Sequence, residues 1–170
     1  MRRIEIFVVA VLVLILCGLS APSFGKANDE AQIRALEQSF QDAFNAKDLD
    51  AIMKAYAPGD QLLVFDVVPP RQYVGFAAYK KDWQDTLALF DGPITFVLSE
   101  LSVTTDGHGL AYSHSIQHMT GKLKKGDPVD LTVRVTDVYK KIKGKWLIVH
   151  EHVSVPVDLD TKKPDLQSKP

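Results

Sequence analysis

The hydrophobic period of this chain changes once, at Pro93, and that change decides the fold class. Before it, apolar residues recur every three or four positions. Ile33, Leu36, Phe40 and Phe44 form one stripe, and Phe76, Tyr79, Trp83, Leu87 and Phe90 form another. That spacing puts apolar side chains on one face of a helix. Asn28 or Asp29 is the expected cap of the first helix. Asp48 is the expected cap of a short second helix carrying Leu49, Ile52, Met53 and Tyr56, stopped by Pro58-Gly59. Residues 62–65 read as a short strand with Asp66 at its end. A third helix is predicted over 75–90.

After Pro93 the pattern alternates. Four long strands are predicted at 93–104, 110–121, 129–142 and 145–157. Asp106-Gly107-His108-Gly109, residues 124–128 and Lys143-Gly144 join them. These are turn-forming sequences, and consecutive strands with short turns make an antiparallel meander. Helices first and strands second is an α+β order. The expected architecture is a cone-shaped barrel. Three N-terminal helices pack on a strongly curved, mainly antiparallel sheet, because long twisted strands curl and leave a central pocket.

Residues 1–25 are set apart from this domain. Arg2 and Arg3 precede an apolar run over 6–16, followed by Gly18, Ser20, Ala21 and Gly25. A basic start, a short apolar run and small residues describe a secretory signal peptide, so a periplasmic or secreted protein is expected. The run is shorter than the roughly 20 residues of a membrane span, and no membrane association is expected after cleavage. The single cysteine, Cys17, directly follows that run. Removal of the segment leaves no thiol for catalysis, disulfides or metal. Residues 26–158 read as one domain, and 159–170, rich in Lys, Pro and Asp, as a flexible tail. A formal net charge of −1 argues against a nucleic-acid partner.

Side chains alternate across a strand, so the sequence also predicts which residues face the pocket. Tyr112, His114, Ile116 and His118 share one face of the second long strand. Val133, Val135, Asp137 and Tyr139 share the more apolar face of the third. Leu147, Val149, Glu151, Val153 and Val155 share the expected inner face of the last, with Trp146, Ile148, His150 and His152 outside. Asp137 is then either a pocket acid or the partner of Arg134 or of a histidine, and Glu151 has the same two uses. His114 is either a ligand contact or a core histidine. His150 and His152 share a face, but no third or fourth ligand accompanies them, and zinc needs three or four. No metal and no cofactor are expected.

The stretch Ser39-Phe40-Gln41-Asp42-Ala43-Phe44-Asn45-Ala46-Lys47-Asp48-Leu49-Asp50 resembles the opening helix pair of the nuclear transport factor 2-like superfamily. That superfamily includes ketosteroid isomerases and SnoaL-like proteins. Residues 144–154, Gly144-Lys145-Trp146-Leu147 through Ser154, resemble the last strand of its SnoaL-like members. The resemblance implies that Asp66 stands where ketosteroid isomerases keep a general base. Asp137 stands at the place of their protonated aspartic acid. Phe40 replaces an oxyanion tyrosine on the first helix, and Trp83 replaces a second tyrosine on the third. Losing one oxyanion donor costs about 100- to 1,000-fold in rate. The resemblance also implies a homodimer. The expected function is an exported domain that binds a small apolar or amphipathic molecule and carries weak isomerase- or lyase-type acid–base activity on a carbonyl-containing ligand. Asp66 and Asp137 are the expected catalytic pair. His114, Phe40, Trp83, Tyr112, Val135, Val149 and Glu151 are the expected ligand contacts. The alternative is a non-catalytic dimeric accessory domain with a vestigial pocket.

Overall fold

The computed structural model describes residues 24–167, so the expected signal segment, apart from Phe24 and Gly25, lies outside the described residues. Helices α1 (Phe24–Asn45), α2 (Leu49–Ile52) and α3 (Phe76–Leu89) carry the predicted stripes. The short strands β1 (Leu63–Phe65) and β2 (Tyr73–Val74) lie between α2 and α3. The meander is β3 (Thr95–Thr105), β4 (Leu110–Lys122), β5 (Pro128–Ile142) and β6 (Lys145–Ser154). Asp48 caps α2, its carboxylate accepting from the Ala51 amide at 3.0 Å. Asp29 is not a cap. It is buried inside α1 and accepts from Lys141 Nζ at 2.6 Å and Trp146 Nε1 at 3.2 Å, which ties the start of α1 to β5 and β6.

The sheet runs in the order β2-β1-β6-β5-β4-β3. It is mixed, because β1 pairs parallel to β6 while the meander is antiparallel. The expected barrel does not close. β2 and β3 are its two edges, and no ladder joins them. The helices fill the concave side. Ile33, Phe40 and Phe44 of α1 and Tyr79, Trp83 and Leu87 of α3 form one core with Tyr139, Trp146 and Ile148 of the sheet.

Two strand faces differ from the sequence reading. In β4 the inner set is Ala111, Ser113, Ser115 and Gln117, all buried. Tyr112 and His114 point to the outer face, where Tyr112 is 49% exposed. The cause is a polar interior: Ser113 Oγ lies 2.7 Å from the Tyr139 hydroxyl, so the more polar face of the strand is the buried one. In β6 the register shifts between the pairs Val138↔His150 and Tyr139↔Ile148. Val149 is the extra residue of this bulge, which resets the alternation. Trp146 and Ile148 therefore point inward and are buried in the core, whereas Glu151 and Val153 keep the inner face beyond the bulge.

Two short strands lie at the boundary of the expected tail and within it. β7 (Val157–Asp158) pairs with β8 (Lys163–Pro164), and the Thr132 amide donates to the Leu166 carbonyl at 2.7 Å. An inward Ile148 makes a direct prediction. Ile148→Ala should cost about 2–5 kcal/mol in urea denaturation. An outward Ile148 would cost no more than about 0.5 kcal/mol.

Candidate functional site

A cavity of about 150 Å³ opens between α1, α3 and the far end of the meander. Phe40 and Phe44 come from α1, Phe96 from β3, Gln117 and Met119 from β4, Leu131 and Val133 from β5. Tyr79, Asp82, Trp83 and Thr86 recur at helical spacing, which brings them to one face of α3. Asp66, Val67 and Val68 follow β1, and Glu151 and Val153 lie on β6. The deep wall is aromatic. Phe44 packs edge-to-face on Trp83 at 4.9 Å between centroids, and Phe40 on Trp83 at 5.7 Å. The Val68 end, which Asp66, Asp82 and Thr86 adjoin, is the more exposed one.

The expected site residues divide accordingly. Phe40, Trp83, Asp66 and Glu151 line the cavity. Tyr112 and His114 face away from it on the outer side of β4. Val135, Val149 and Asp137 are buried but do not line it. Asp137 is 2% exposed and lies behind the cavity wall. Arg134 does not pair with it, since Arg134 lies on the opposite face.

Glu151 takes the polar role at the cavity wall. It is opposite Asp137 in the β5–β6 ladder and opposite Val64 in the β1–β6 ladder, and Asp66 follows two residues after Val64. Tyr56 donates to Glu151 Oε2 at 2.8 Å. The Tyr79 hydroxyl is in close contact with Glu151 Oε1 and lies 3.3 Å from Asp66 Oδ2. Asp66 Oδ1 accepts from the Val67 and Val68 amides. One hydroxyl thus touches two of the cavity's carboxyl groups, those of Asp66 and Glu151.

Behind this wall lies a second layer, of which the sequence reading missed Glu37. Tyr139 donates to Glu37 Oε1 at 2.6 Å. Glu37, Asp137 and Glu151 are all buried, and among the described residues no Lys, Arg or His pairs with any of them. Asp137 Oδ1 has no hydrogen-bond partner. Without a cation, burial favours the neutral acid. Burial is the main cause that pushes Glu37 and Glu151 up to about 7. It pushes Asp137 well above the carboxylate range, with the neighbouring Glu151 and Glu37 adding to it. Burial also raises Asp66, against the hydrogen bonds from Val67 and Val68. The signal for Glu37 was present in the sequence: it lies at the fourth position after Ile33, in phase with Phe40 and Phe44.

The described residues include no group of three or more His, Cys, Asp or Glu arranged to hold a metal ion, and no helix long and apolar enough to cross a membrane. Compared with known families, residues 33–158 match the model of the SnoaL-like domain. The chain belongs to the SnoaL-like domain family. A search of the curated proteins found no match. Among solved structures, an NTF2-like protein of unknown function from Pseudomonas putida is 28% identical with a TM-score of 0.75. The alignment covers 85% of this chain and 98% of that one. A putative scytalone dehydratase from Novosphingobium aromaticivorans is 13% identical with a TM-score of 0.68, covering 83% and 93%. A ketosteroid isomerase-like protein from Erwinia carotovora is 18% identical with a TM-score of 0.62, covering 73% and 93%. The last two likenesses establish the fold alone. This SnoaL-like domain is thus an NTF2-like α+β fold, three helices on a mixed sheet.

The carboxyl row sets a pH dependence of stability. In the unfolded chain these acids ionise at ordinary values, near 4.5 for Glu37 and Glu151, whereas the folded chain holds their protons up to about 7. Between those values the folded state binds more protons, so stability falls as pH rises. Acids whose values are lowered, such as Asp50 and Asp106, act below this window. Thermal melts should therefore show the midpoint falling between pH 5 and pH 7.5, a loss on the order of a few kcal/mol. Asp137→Asn should flatten the slope. A midpoint that rises over that range contradicts the assignment.

Proposed function

We propose that this SnoaL-like domain binds a single-ring, largely apolar molecule carrying a carbonyl or hydroxyl oxygen and moves a proton on it. The observation that carries this reading is the Tyr79 hydroxyl between Asp66 and Glu151. A cavity of about 150 Å³ matches the space that holds one benzene ring in an engineered core. Asp66, near the exposed end, is the base and takes a proton from the carbon next to the carbonyl. Glu151, protonated below about 7, is the acid that hydrogen-bonds or protonates the ligand oxygen. After the step Asp66 holds a proton and Glu151 lacks one, and Tyr79 passes it back. The proton balance closes without a cofactor. The dehydratase and isomerase names of the structural neighbours are consistent with both outcomes of such a step, elimination and isomerisation.

The N-terminal segment supports export to the periplasm or beyond, and the superfamily resemblance supports a homodimer. The alternative, a non-catalytic accessory domain that dimerises through the outer sheet face, is weakened because Trp146 and Ile148, expected on that face, belong to the core.

The test uses 3-cyclohexen-1-one in deuterated buffer, followed by proton NMR. The purified protein should speed α-hydrogen exchange and conversion to the conjugated enone above the buffer rate. Asp66→Asn should lower that catalysis by about 100-fold or more. Tyr79→Phe should spare binding and slow turnover. The rate should rise as Asp66 ionises, above the ordinary Asp range, and fall above about pH 7 as Glu151 loses its proton. Equal rates for wild type and Asp66→Asn would remove the base assignment.

A further inference from the structure

The chemistry of the cavity wall is lopsided in charge. Three carboxyl groups line it, from Asp66, Asp82 and Glu151, and no Lys, Arg or His does. Two of them, Asp66 and Asp82, belong to the more exposed end. Burial is the main cause that raises Asp66, and the Asp82 charge adds to it. Tyr73 donates to one oxygen of Asp82 at 2.6 Å, and Asp66 Oδ2 receives only the 3.3 Å contact from Tyr79. Each carboxylate therefore keeps acceptor capacity for another donor. The inner end offers ring faces from Phe40, Phe44 and Trp83, which favour a cation or a ring beside them. An independent observation concerns Trp83. It is nine-tenths buried, lines the cavity, and its Nε1–H has no acceptor among the described residues.

We propose that the ligand of this cavity is a single-ring amine bound as its ammonium ion, with the nitrogen held between Asp66 and Asp82 and the ring against Trp83. The inference rests on the pocket reading of the preceding section and names the ligand class of that site. The charge of the wall carries the assignment, and the Trp83 N–H adds a second requirement. An ammonium between two carboxylates replaces their mutual repulsion with charge-assisted hydrogen bonds. A neutral ring leaves that repulsion in place. An anion adds a further like charge to a wall that has no positive side chain. An oxygen on the ring supplies the acceptor that the Trp83 indole N–H fits.

The experiment compares three probes of one shape and different charge: benzylamine, benzyl alcohol and benzoate. Binding is titrated by protein-observed NMR, with the Trp83 indole resonance reporting occupancy of the cavity. At pH 7.5 benzylamine should bind at least about tenfold tighter than benzyl alcohol, and benzoate weakest. Asp82→Asn should narrow the ratio between benzylamine and benzyl alcohol. Lowering the pH to 5 should weaken benzylamine, which stays an ammonium ion, because protons then compete for the acids around the seat. Those acids are Asp66, Asp82 on α3 and Glu151 on β6, with Tyr73 and Tyr79 as their hydrogen-bond donors. Benzyl alcohol binding as tightly as benzylamine would overturn the ammonium assignment and leave the pocket reading standing. So would a ratio unchanged in Asp82→Asn, because the nitrogen would then sit elsewhere. Failure of all three probes to perturb Trp83 would overturn the pocket reading and this inference with it.

Discussion

Three carboxyl groups are held out of water at the centre of this domain with no described cation beside them. Ionised carboxylates in such a place are costly unless paired, so burial favours the protonated groups, and Glu37 and Glu151 find hydroxyl partners instead. Much of the interior follows from that constraint. Tyr56 and Tyr79 take the oxygens of Glu151, and Tyr139 takes Glu37 while its own hydroxyl meets Ser113. The core is thus a polar seam inside an aromatic shell, and the seam joins α1, the start of the β1–β6 pairing, α3 and β5.

The same seam links fold to chemistry. Glu151 belongs to both parts: it is a member of the buried row and the innermost acid of the cavity wall. Its raised affinity for a proton is a consequence of how α1 and β5 pack behind it. A group that would be an ordinary surface anion on an exposed strand becomes an acid with a proton to give near neutral pH. Asp66, two residues past its partner in the parallel ladder, is nearer solvent. Two carboxyls in different surroundings, linked by one hydroxyl, can hold different protonation states, as an acid–base pair requires.

Much of this was legible in the sequence, for reasons that can be named. The helix stripes and the four strands were readable because each element has a regular period and buries one face. The inward placement of Asp137 and Glu151 followed from strand alternation alone. The placement of Tyr112 and His114 did not, because the rule that the apolar face is the inner one fails where the interior itself is polar, as it is around Ser113 and Tyr139. Trp146 and Ile148 were misplaced because a single extra residue, Val149, inverts the phase of the strand, and alternation cannot show a bulge. The contact of Tyr79 with both Asp66 and Glu151 joins residues separated by 13 and 72 positions. No local pattern encodes that contact, and only the packing of α3 on the sheet creates it.

The central claim is that the buried row keeps its protons where surface acids have lost theirs. Carbon-13 NMR titration of the side-chain carboxyl carbons tests it most directly, with Glu37, Asp137 and Glu151 assigned through single substitutions to Gln or Asn. The account predicts that Glu37 and Glu151 remain at protonated positions at pH 6 and move only near pH 7, and that Asp137 moves well above the ordinary carboxylate range. Three signals that have all moved to ionised positions by pH 5 would contradict it.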